Sequence, residues 1–220
     1  MLKPNAKAIQ EELQDVLSLP EVPKRIECFD ISHIQGAETV ASMVVWEDGK
    51  MKKSDYRKFI IRSVQGVDDF ASMREVVFRR YKRVKDENGT MPSLILIDGG
   101  LGQLHSAFQA LEELGFTSQP LASIAKREEV IYVYGNEDEP VVLDRRSPVL
   151  HMVQVIRDES HRFAIGYHRK RREMRDRDSE LLQISGVGTG TRQRLLTHFG
   201  SLREVQKATV ESLASVVSAI

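Results

Sequence analysis

The stretch Lys24-Arg25-Ile26-Glu27-Cys28-Phe29-Asp30-Ile31-Ser32-His33 decides the fold of this chain. Apolar side chains dominate its middle, and the run reaches a carboxylate at Asp30 before it turns polar at Ser32. Such a pattern is typical of a buried strand that ends at a functional edge. We therefore predict a strand that delivers Asp30 to a site.

A second stretch, Ser93-Leu94-Ile95-Leu96-Ile97-Asp98-Gly99-Gly100, repeats this design. Its aliphatic run is too short for a helix and stops on an acid and a glycine turn. If the two strands lie side by side, two carboxylates meet, and they repel unless a cation neutralises them. The pair therefore predicts a Mg²⁺ or Mn²⁺ site. The alternative is that each Asp only closes a turn by bonding to its own backbone.

The wider pattern predicts an α/β chain. Three antiparallel strands, a helix, a strand that ends on Asp98 and a further helix follow one another, which is the element order of a ribonuclease H-like fold. An Asp-Gly turn at residues 48–49 joins the second strand to a return strand. The predicted helices cover residues 5–19, 68–85, 102–114 and 158–172, and the predicted strands cover 24–33, 39–46, 52–61, 93–98, 121–125 and 130–134.

A third segment, Arg157-Asp158-Glu159-Ser160-His161-Arg162-Phe163-Ala164, opens the last of these helices. Together with Phe29-Asp30-Ile31-Ser32-His33 and Ile97-Asp98-Gly99-Gly100, in this order, it resembles the C-terminal half of the UvrC family of bacterial excision repair nucleases. The resemblance runs through most of the chain. It implies a ribonuclease H-like mixed sheet flanked by helices over residues 24–175, preceded by a helix and linker at 1–23 and followed by a small all-α helix-hairpin-helix segment at 178–220.

The resemblance also implies the site residues. It makes His161 the third member of a set with Asp30 and Asp98 that holds Mg²⁺ or Mn²⁺, with His161 acting as a ligand or as a general acid or base. Asp69 also matches the family's pattern, although an acid at the start of a helix is commonly a cap or a dipole partner. The family's pattern gives no catalytic role to His33, His105, His151 and His168.

A glycine-rich stretch near the end of the chain is expected to bind DNA. Gly186, Val187, Gly188 and Gly190 lie between two predicted helices, where backbone amides can approach phosphate oxygens closely. The alternative is an ordinary turn between helices. The family carries two such hairpins in tandem and this sequence shows one, so we expect a loosely held segment that binds DNA weakly. Further basic candidates for contact with DNA are Arg192, Arg162 and Lys126, with Arg127 beside the last of these.

Composition sets the remaining expectations. The 220 residues carry no formal net charge, but residues 157–203 contain eleven Lys or Arg against six Asp or Glu, which favours phosphate contact there. The single cysteine, Cys28, excludes an intrachain disulfide and indicates a reducing compartment. The sequence shows no signal peptide and no run of apolar residues long enough to cross a bilayer. We expect a cytoplasmic protein, monomeric and without membrane contact.

Taken together, these features predict a metal-dependent endonuclease. By resemblance, it makes the 5′-side incision in damaged double-stranded DNA as part of a complex with UvrB and DNA, although the family's UvrB-binding segment is not in this sequence. Two alternatives stay open. One is a catalytically silent DNA-binding module with the same fold, and the other is a nuclease that cleaves RNA–DNA hybrids.

Overall fold

The computed structural model describes residues 5–34, 38–125 and 129–217, with the side chains of all of these except 34 and 167–180. The chain divides into two compact units, Met1–Ile165 and Gly166–Ile220. The elements of the first unit are α1 (Ala6–Leu17), β1 (Arg25–Ile34), β2 (Glu38–Glu47), β3 (Lys50–Met51), β4 (Arg57–Ile60), α2 (Asp69–Asp86), β5 (Leu94–Asp98), α3 (Leu101–Glu113), β6 (Leu121–Ala125), β7 (Val130–Val133) and the first part of α4 (Pro148–Leu182).

The sheet is mixed, as predicted. Its strand order is β3-β2-β1-β5-β6-β7, and β4 also pairs with β2. β1 lies at the centre, antiparallel to β2 and parallel to β5, and β6 runs parallel to β5 while β7 returns antiparallel. The parallel pairing of β1 with β5 confirms the prediction that the two strands carrying Asp30 and Asp98 are neighbours.

Helices cover both faces of the sheet because β1 presents alternate side chains to opposite sides. Phe29 packs against Tyr81 of α2, with ring centroids 6.0 Å apart. On the other face, Ser42 of β2 donates a hydrogen bond to the backbone oxygen of Ser160 in α4. Side chains of α1, α2, α3 and α4 are buried in one apolar core with those of the strands.

The prediction of one continuous return strand over residues 52–61 is wrong. The hairpin turn forms at Asp48 and Gly49, both with positive φ (47° and 90°), but β3 ends at Met51. A short 3₁₀ turn at Lys53–Asp55 then separates β3 from β4. This turn brings the Asp55 carboxylate to 2.8 Å from the Arg25 guanidinium, and the same region places Lys52 in an ion pair with Glu47. These ion pairs stabilise the break between β3 and β4. The strand propensity of residues 52–61 did not predict this break.

α4 begins at Pro148, ten residues before the predicted start at 158. The Ser147 hydroxyl accepts a hydrogen bond from the amide of Leu150 at 3.3 Å, so Ser147 acts as the cap. Proline is well suited to the position after a cap because its missing amide hydrogen is not needed there. The pair Ser147-Pro148 is therefore a signal for the start of a helix. The spacing of apolar residues alone did not indicate this start.

The second unit contains the end of α4 followed by α5 (Thr189–Phe199), α6 (Leu202–Lys207) and α7 (Val210–Val217). Four buried side chains form its small core, namely Leu181, Leu195, Leu202 and Val205. The predicted domain limits at residues 23, 175 and 178 remain predictions. Within the described ranges of the chain, no helix has the length and apolar character needed to cross a membrane.

Candidate metal centre

Asp30 and Asp98 lie side by side at one edge of the sheet. Phe29 of β1 pairs in register with Ile97 of β5, so the next residue on each parallel strand is one of the two acids. Both acids are buried, at 6% and 9% residual exposure. Two ionised carboxylates held together away from bulk water favour a bound cation, because their repulsion otherwise raises the cost of ionisation.

α4 adds an imidazole to this pair. His161 Nδ1 lies 3.2 Å from Asp30 Oδ2. Each of the three residues offers one ligand atom, a carboxylate oxygen from Asp30 and Asp98 and a ring nitrogen from His161. These three atoms all lie within 4.8 Å of one another. Donors on one Mg²⁺ lie at most about 4.2 Å apart, because each bond is about 2.1 Å long. Small side-chain rotations are therefore enough for the three residues to share one ion.

The donor set fits a hard divalent cation. Two carboxylates and one imidazole are ligands that Mg²⁺ and Mn²⁺ accept, whereas a zinc or copper site typically relies on more nitrogen or sulfur donors. Burial and the negative charges of Asp98 and Asp30 raise the pKa of the nearby Cys28 thiol well above its ordinary value.

A buried serine pair sets the position of His161. Ser42 lies directly opposite Asp30 in the β1–β2 register, and its hydroxyl donates to the Ser160 backbone oxygen at 3.0 Å. The two serine hydroxyl oxygens are also 3.1 Å apart, and both residues are fully buried. Because His161 follows Ser160 directly, this contact fixes the turn of α4 that faces the carboxylates. Sequence reasoning did not single out either serine.

The glycine turn after Asp98 allows α3 to start at once. A Cβ at Gly99 would lie 2.9 Å from Gln103 Cδ, so the turn leaves no room for a side chain there. The Gly100 amide donates to Gln103 Oε1 at 3.1 Å and thereby caps the helix. These contacts are consistent with a structural role for the turn.

Asp69 lies outside this cluster of three. The helix cap of α2 is its neighbour Asp68, whose side chain accepts from the Ala71 amide at 2.9 Å. Asp69 is the first helical residue, and its Oδ1 lies 2.5 Å from Nε2 of His33, whose other ring nitrogen lies 3.0 Å from the Thr39 hydroxyl. A catalytic role for Asp69 stays a prediction. The structure adds His33, three residues after Asp30, as a polar partner that sequence reasoning had set aside.

The basic candidates near the centre differ in accessibility. Arg157 is buried at 9% exposure and binds its neighbour Asp158 at 2.8 Å, so it does not belong to an exposed basic surface as the charge count had suggested. Arg162 is exposed and forms an ion pair with Glu159 at 2.6 Å, which leaves its contact with DNA a prediction. Lys126 and Arg127 lie outside the described residues.

The predicted DNA-binding glycines lie together in the second unit. Gly186 has φ of +86°, in the left-handed region that favours glycine, and Gly188 is the residue before α5. Gly190 and Arg192 lie in the first turn of α5, and the Arg192 amide donates to the Gly188 oxygen at 2.9 Å. A Cβ at any of these three glycines would meet open space, so packing does not explain them. Their role, and that of Val187, stays a prediction.

Comparison with known proteins assigns the family. The model of the UvrC RNase H endonuclease domain matches residues 14–165, which include all three residues of the centre. UvrABC system protein C of Acidobacterium capsulatum is 75% identical over 217 residues, covering 99% of this chain and 34% of that protein. The corresponding protein of Koribacter versatilis is 68% identical over 218 residues, covering 99% and 36%.

The chain therefore spans about a third of the length of the curated relatives it matches. Among solved structures, human endonuclease V aligns with a TM-score of 0.40 and 13% identity over 75% of this chain and 97% of that one. The family assignment rests on the sequence matches alone. This chain belongs to the family of UvrC RNase H endonuclease domains.

Proposed function

We propose that this chain is the module that makes the 5′-side incision during nucleotide excision repair, by divalent-metal-dependent hydrolysis of a DNA phosphodiester. The observation that carries the proposal is the meeting of Asp30, Asp98 and His161, from three distant segments, with ligand atoms within 4.8 Å of one another. Membership of the UvrC endonuclease family supports the reaction class. The proposed cation is Mg²⁺ or Mn²⁺.

Each residue of the centre has a defined task in this proposal. A bound Mg²⁺ or Mn²⁺ would supply the Lewis acid that lowers the pKa of the attacking water and stabilises negative charge on the phosphate. Asp30 and Asp98 would hold the cation, and their burial would keep water from competing for the same carboxylate oxygens. If Asp30 is ionised, its oxygen can only accept, so His161 Nδ1 would be the donor in the contact between them, and Nε2 would be the ring nitrogen that binds the cation or exchanges a proton.

The position of His161 suits a role as a metal ligand and also a role as a general acid or base. Its side chain is 46% exposed, whereas that of Asp30 is 8% exposed. The imidazole can therefore exchange a proton with solvent while one of its edges stays against the carboxylate. The buried serine contact one residue earlier limits its movement and keeps it aimed at the centre.

The proposed partners are damaged double-stranded DNA and a complex of UvrB with DNA, both in the cytoplasm. The second unit, with its glycine turn at residues 186–190, is proposed to bind the DNA backbone as a helix-hairpin-helix segment without reading sequence. These partners follow from the family assignment. They do not follow from the cluster itself.

Nicking of a lesion-bearing duplex in the presence of Mn²⁺, with and without UvrB, tests the proposal. Asp98→Asn keeps the size of the side chain but removes its charge, so we expect nicking to be abolished while DNA affinity stays nearly unchanged. Glu137→Gln, a change of a partly buried acid in the loop after β7 that pairs with His105 of α3 at 3.2 Å, is the matched control and should nick like wild type. Nicking that survives Asp98→Asn would overturn the assignment, and preferential cleavage of an RNA–DNA hybrid would favour the ribonuclease alternative.

A further inference from the structure

An exposed aromatic ring lies against the helix that follows Asp98. Phe70, the residue after Asp69 at the start of α2, is 54% exposed. Exposed apolar side chains that lie together can mark a binding surface, whereas a single one needs no explanation. Its neighbours Val67 and Leu101 are also exposed, at 79% and 38%.

The ring of Phe70 is held in place by a glycine. A Cβ built on Gly102 would lie 2.4 Å from both Cε1 and Cζ of Phe70, so the ring lies directly on the backbone of the first turn of α3. Any larger residue at position 102 would displace it. The glycine therefore fixes where the ring lies and leaves its other face toward solvent.

This position is within reach of a DNA strand held at the centre. Gly102 follows Asp98 by four residues, and four residues span at most about 14 Å. One strand of B-form DNA advances about 3.4 Å per nucleotide. A nucleotide on Phe70 would therefore lie within about four nucleotides of a phosphate held at Asp98.

The chemistry around the ring suits a base better than a phosphate. Phe70 lies in a groove of about 650 Å³ between α2, α3 and the loop before α2. Its charged lining is mainly acidic, and its one basic side chain, Arg74, is paired with Glu113 at 2.9 Å. Phosphate would be repelled there, whereas the exposed amides of Gln65 and Gln109 can bond to the edge of a base.

We propose that Phe70, held by Gly102, is a stacking platform for a nucleobase of the strand that is cut, and that it positions the scissile phosphate at the metal centre. This inference rests on the proposed nuclease function. Stacking on an aromatic ring tolerates any base, which suits an enzyme whose cut position is not set by sequence. Phe70 is a positioning residue in this account, since it does not touch the reacting atoms.

The first test is an equilibrium measurement with uncut DNA. Lesion-bearing duplexes carry 2-aminopurine at single positions within four nucleotides on either side of the nick, and Asp98→Asn protein binds them without cleavage. We expect the fluorescence of one position to be quenched, and Phe70→Ala to remove that quenching while Phe70→Tyr retains it. Equal quenching with Phe70→Ala, or quenching at none of these positions, would overturn the proposal.

The second test is the nicking reaction with the Asp98 side chain intact. Loss of one base stack, about 1–3 kcal/mol, should raise KM about 5- to 140-fold. Gly102→Ala should give a similar rise although Phe70 is still present, because the new methyl group pushes the ring away. Alanine suits a helix better than glycine does, so this variant is expected to fold. Val142→Ala, which alters an exposed apolar residue elsewhere, is the control.

The outcomes separate this inference from the proposed function. If Asp98→Asn abolishes nicking while Phe70→Ala and Gly102→Ala leave KM unchanged, the nuclease function stands and the stacking platform is wrong. If nicking survives Asp98→Asn, the function itself fails. If Phe70→Ala alters nicking only when UvrB is present and leaves 2-aminopurine quenching intact, the groove binds a protein segment, which also overturns the proposal.

Discussion

Replacing Arg80 by methionine should cost the first unit several kcal/mol, because Arg80 neutralises a fully buried carboxylate. The Glu27 side chain has 0% exposure and lies on the central strand, three residues before Asp30. It accepts hydrogen bonds from Arg80 at 2.8 and 3.1 Å, from Arg25 at 2.9 and 3.0 Å, and from the Tyr81 hydroxyl at 2.9 Å. These contacts join α2 to the strand that carries Asp30.

The expected loss follows from the burial of this pair. Removing one partner of a buried ion pair typically costs about 3–5 kcal/mol, because the remaining charge is left without compensation. Arg25 still binds Glu27 in the variant, so we expect about 3 kcal/mol for Arg80→Met. That is a large share of the roughly 5–15 kcal/mol by which most domains are stable. For a unit of this size it should lower Tm by about 6–12 °C.

Denaturant unfolding followed by circular dichroism measures this loss. Arg83→Met is the matched control on the same helix, because Arg83 pairs with Glu87 at 2.8 Å with both side chains more than 60% exposed. An exposed pair of this kind contributes only about 0–1 kcal/mol. Equal losses for Arg80→Met and Arg83→Met would refute the argument that burial makes the difference.

The same site predicts a pH dependence. Burial alone would raise the pKa of Glu27, but the bonds from Arg80 and Arg25 outweigh it and lower the pKa below its ordinary value. A carboxylate with a lowered pKa in the folded state contributes stability above its unfolded pKa of about 4.3, and this contribution is lost as the pH falls through the folded pKa. Glu27→Gln should therefore flatten the fall in stability below about pH 4. If the stability of Glu27→Gln falls with decreasing pH as steeply as that of the wild type, Glu27 is not the source of this pH dependence.

Two further contacts give sharper separations between stability and activity. Asp68→Ala removes the cap of α2 and should cost about 1 kcal/mol in unfolding experiments. Asp69→Asn should instead spare stability and lower the nicking rate, and a loss of stability with unchanged nicking would make Asp69 purely structural. Ser42→Ala removes the buried hydroxyl that holds Ser160, so we expect about 1–3 kcal/mol of lost stability together with a slower kcat, because His161 is no longer held firmly. An unchanged kcat in the folded variant would show that this contact does not position the imidazole.

Much of the sheet could be predicted from the sequence because its strands carry strong local signals. The aliphatic run that ends on Asp98 is too short for a helix, and β6 has the bounds that its pattern predicted. The placement of Asp30 beside Asp98 followed from the parallel pairing of two such runs. The contact of these acids with His161 could be expected only through the family resemblance, since no local pattern links residues 131 positions apart.

Other features depend on tertiary contacts that leave little trace in a single sequence. The 3₁₀ turn that breaks the return strand is accompanied by ion pairs to Arg25 and Glu47, which lie on other strands. The pairing of His33 with Asp69 depends on how α2 meets the end of β1. The contact of Phe70 with Gly102 likewise requires two helices to be placed side by side. Each of these contacts involves residues more than 20 positions apart or on separate elements, where periodicity carries no information.

The central claim is that one divalent cation is shared by the carboxylates of Asp30 and Asp98. Anomalous scattering from crystals soaked in Mn²⁺ locates such an ion directly. We predict a single strong peak within about 2.2 Å of carboxylate oxygens of both Asp30 and Asp98, and its loss in crystals of Asp98→Asn. A peak bound elsewhere, or one that persists at this position in the variant, would contradict the claim.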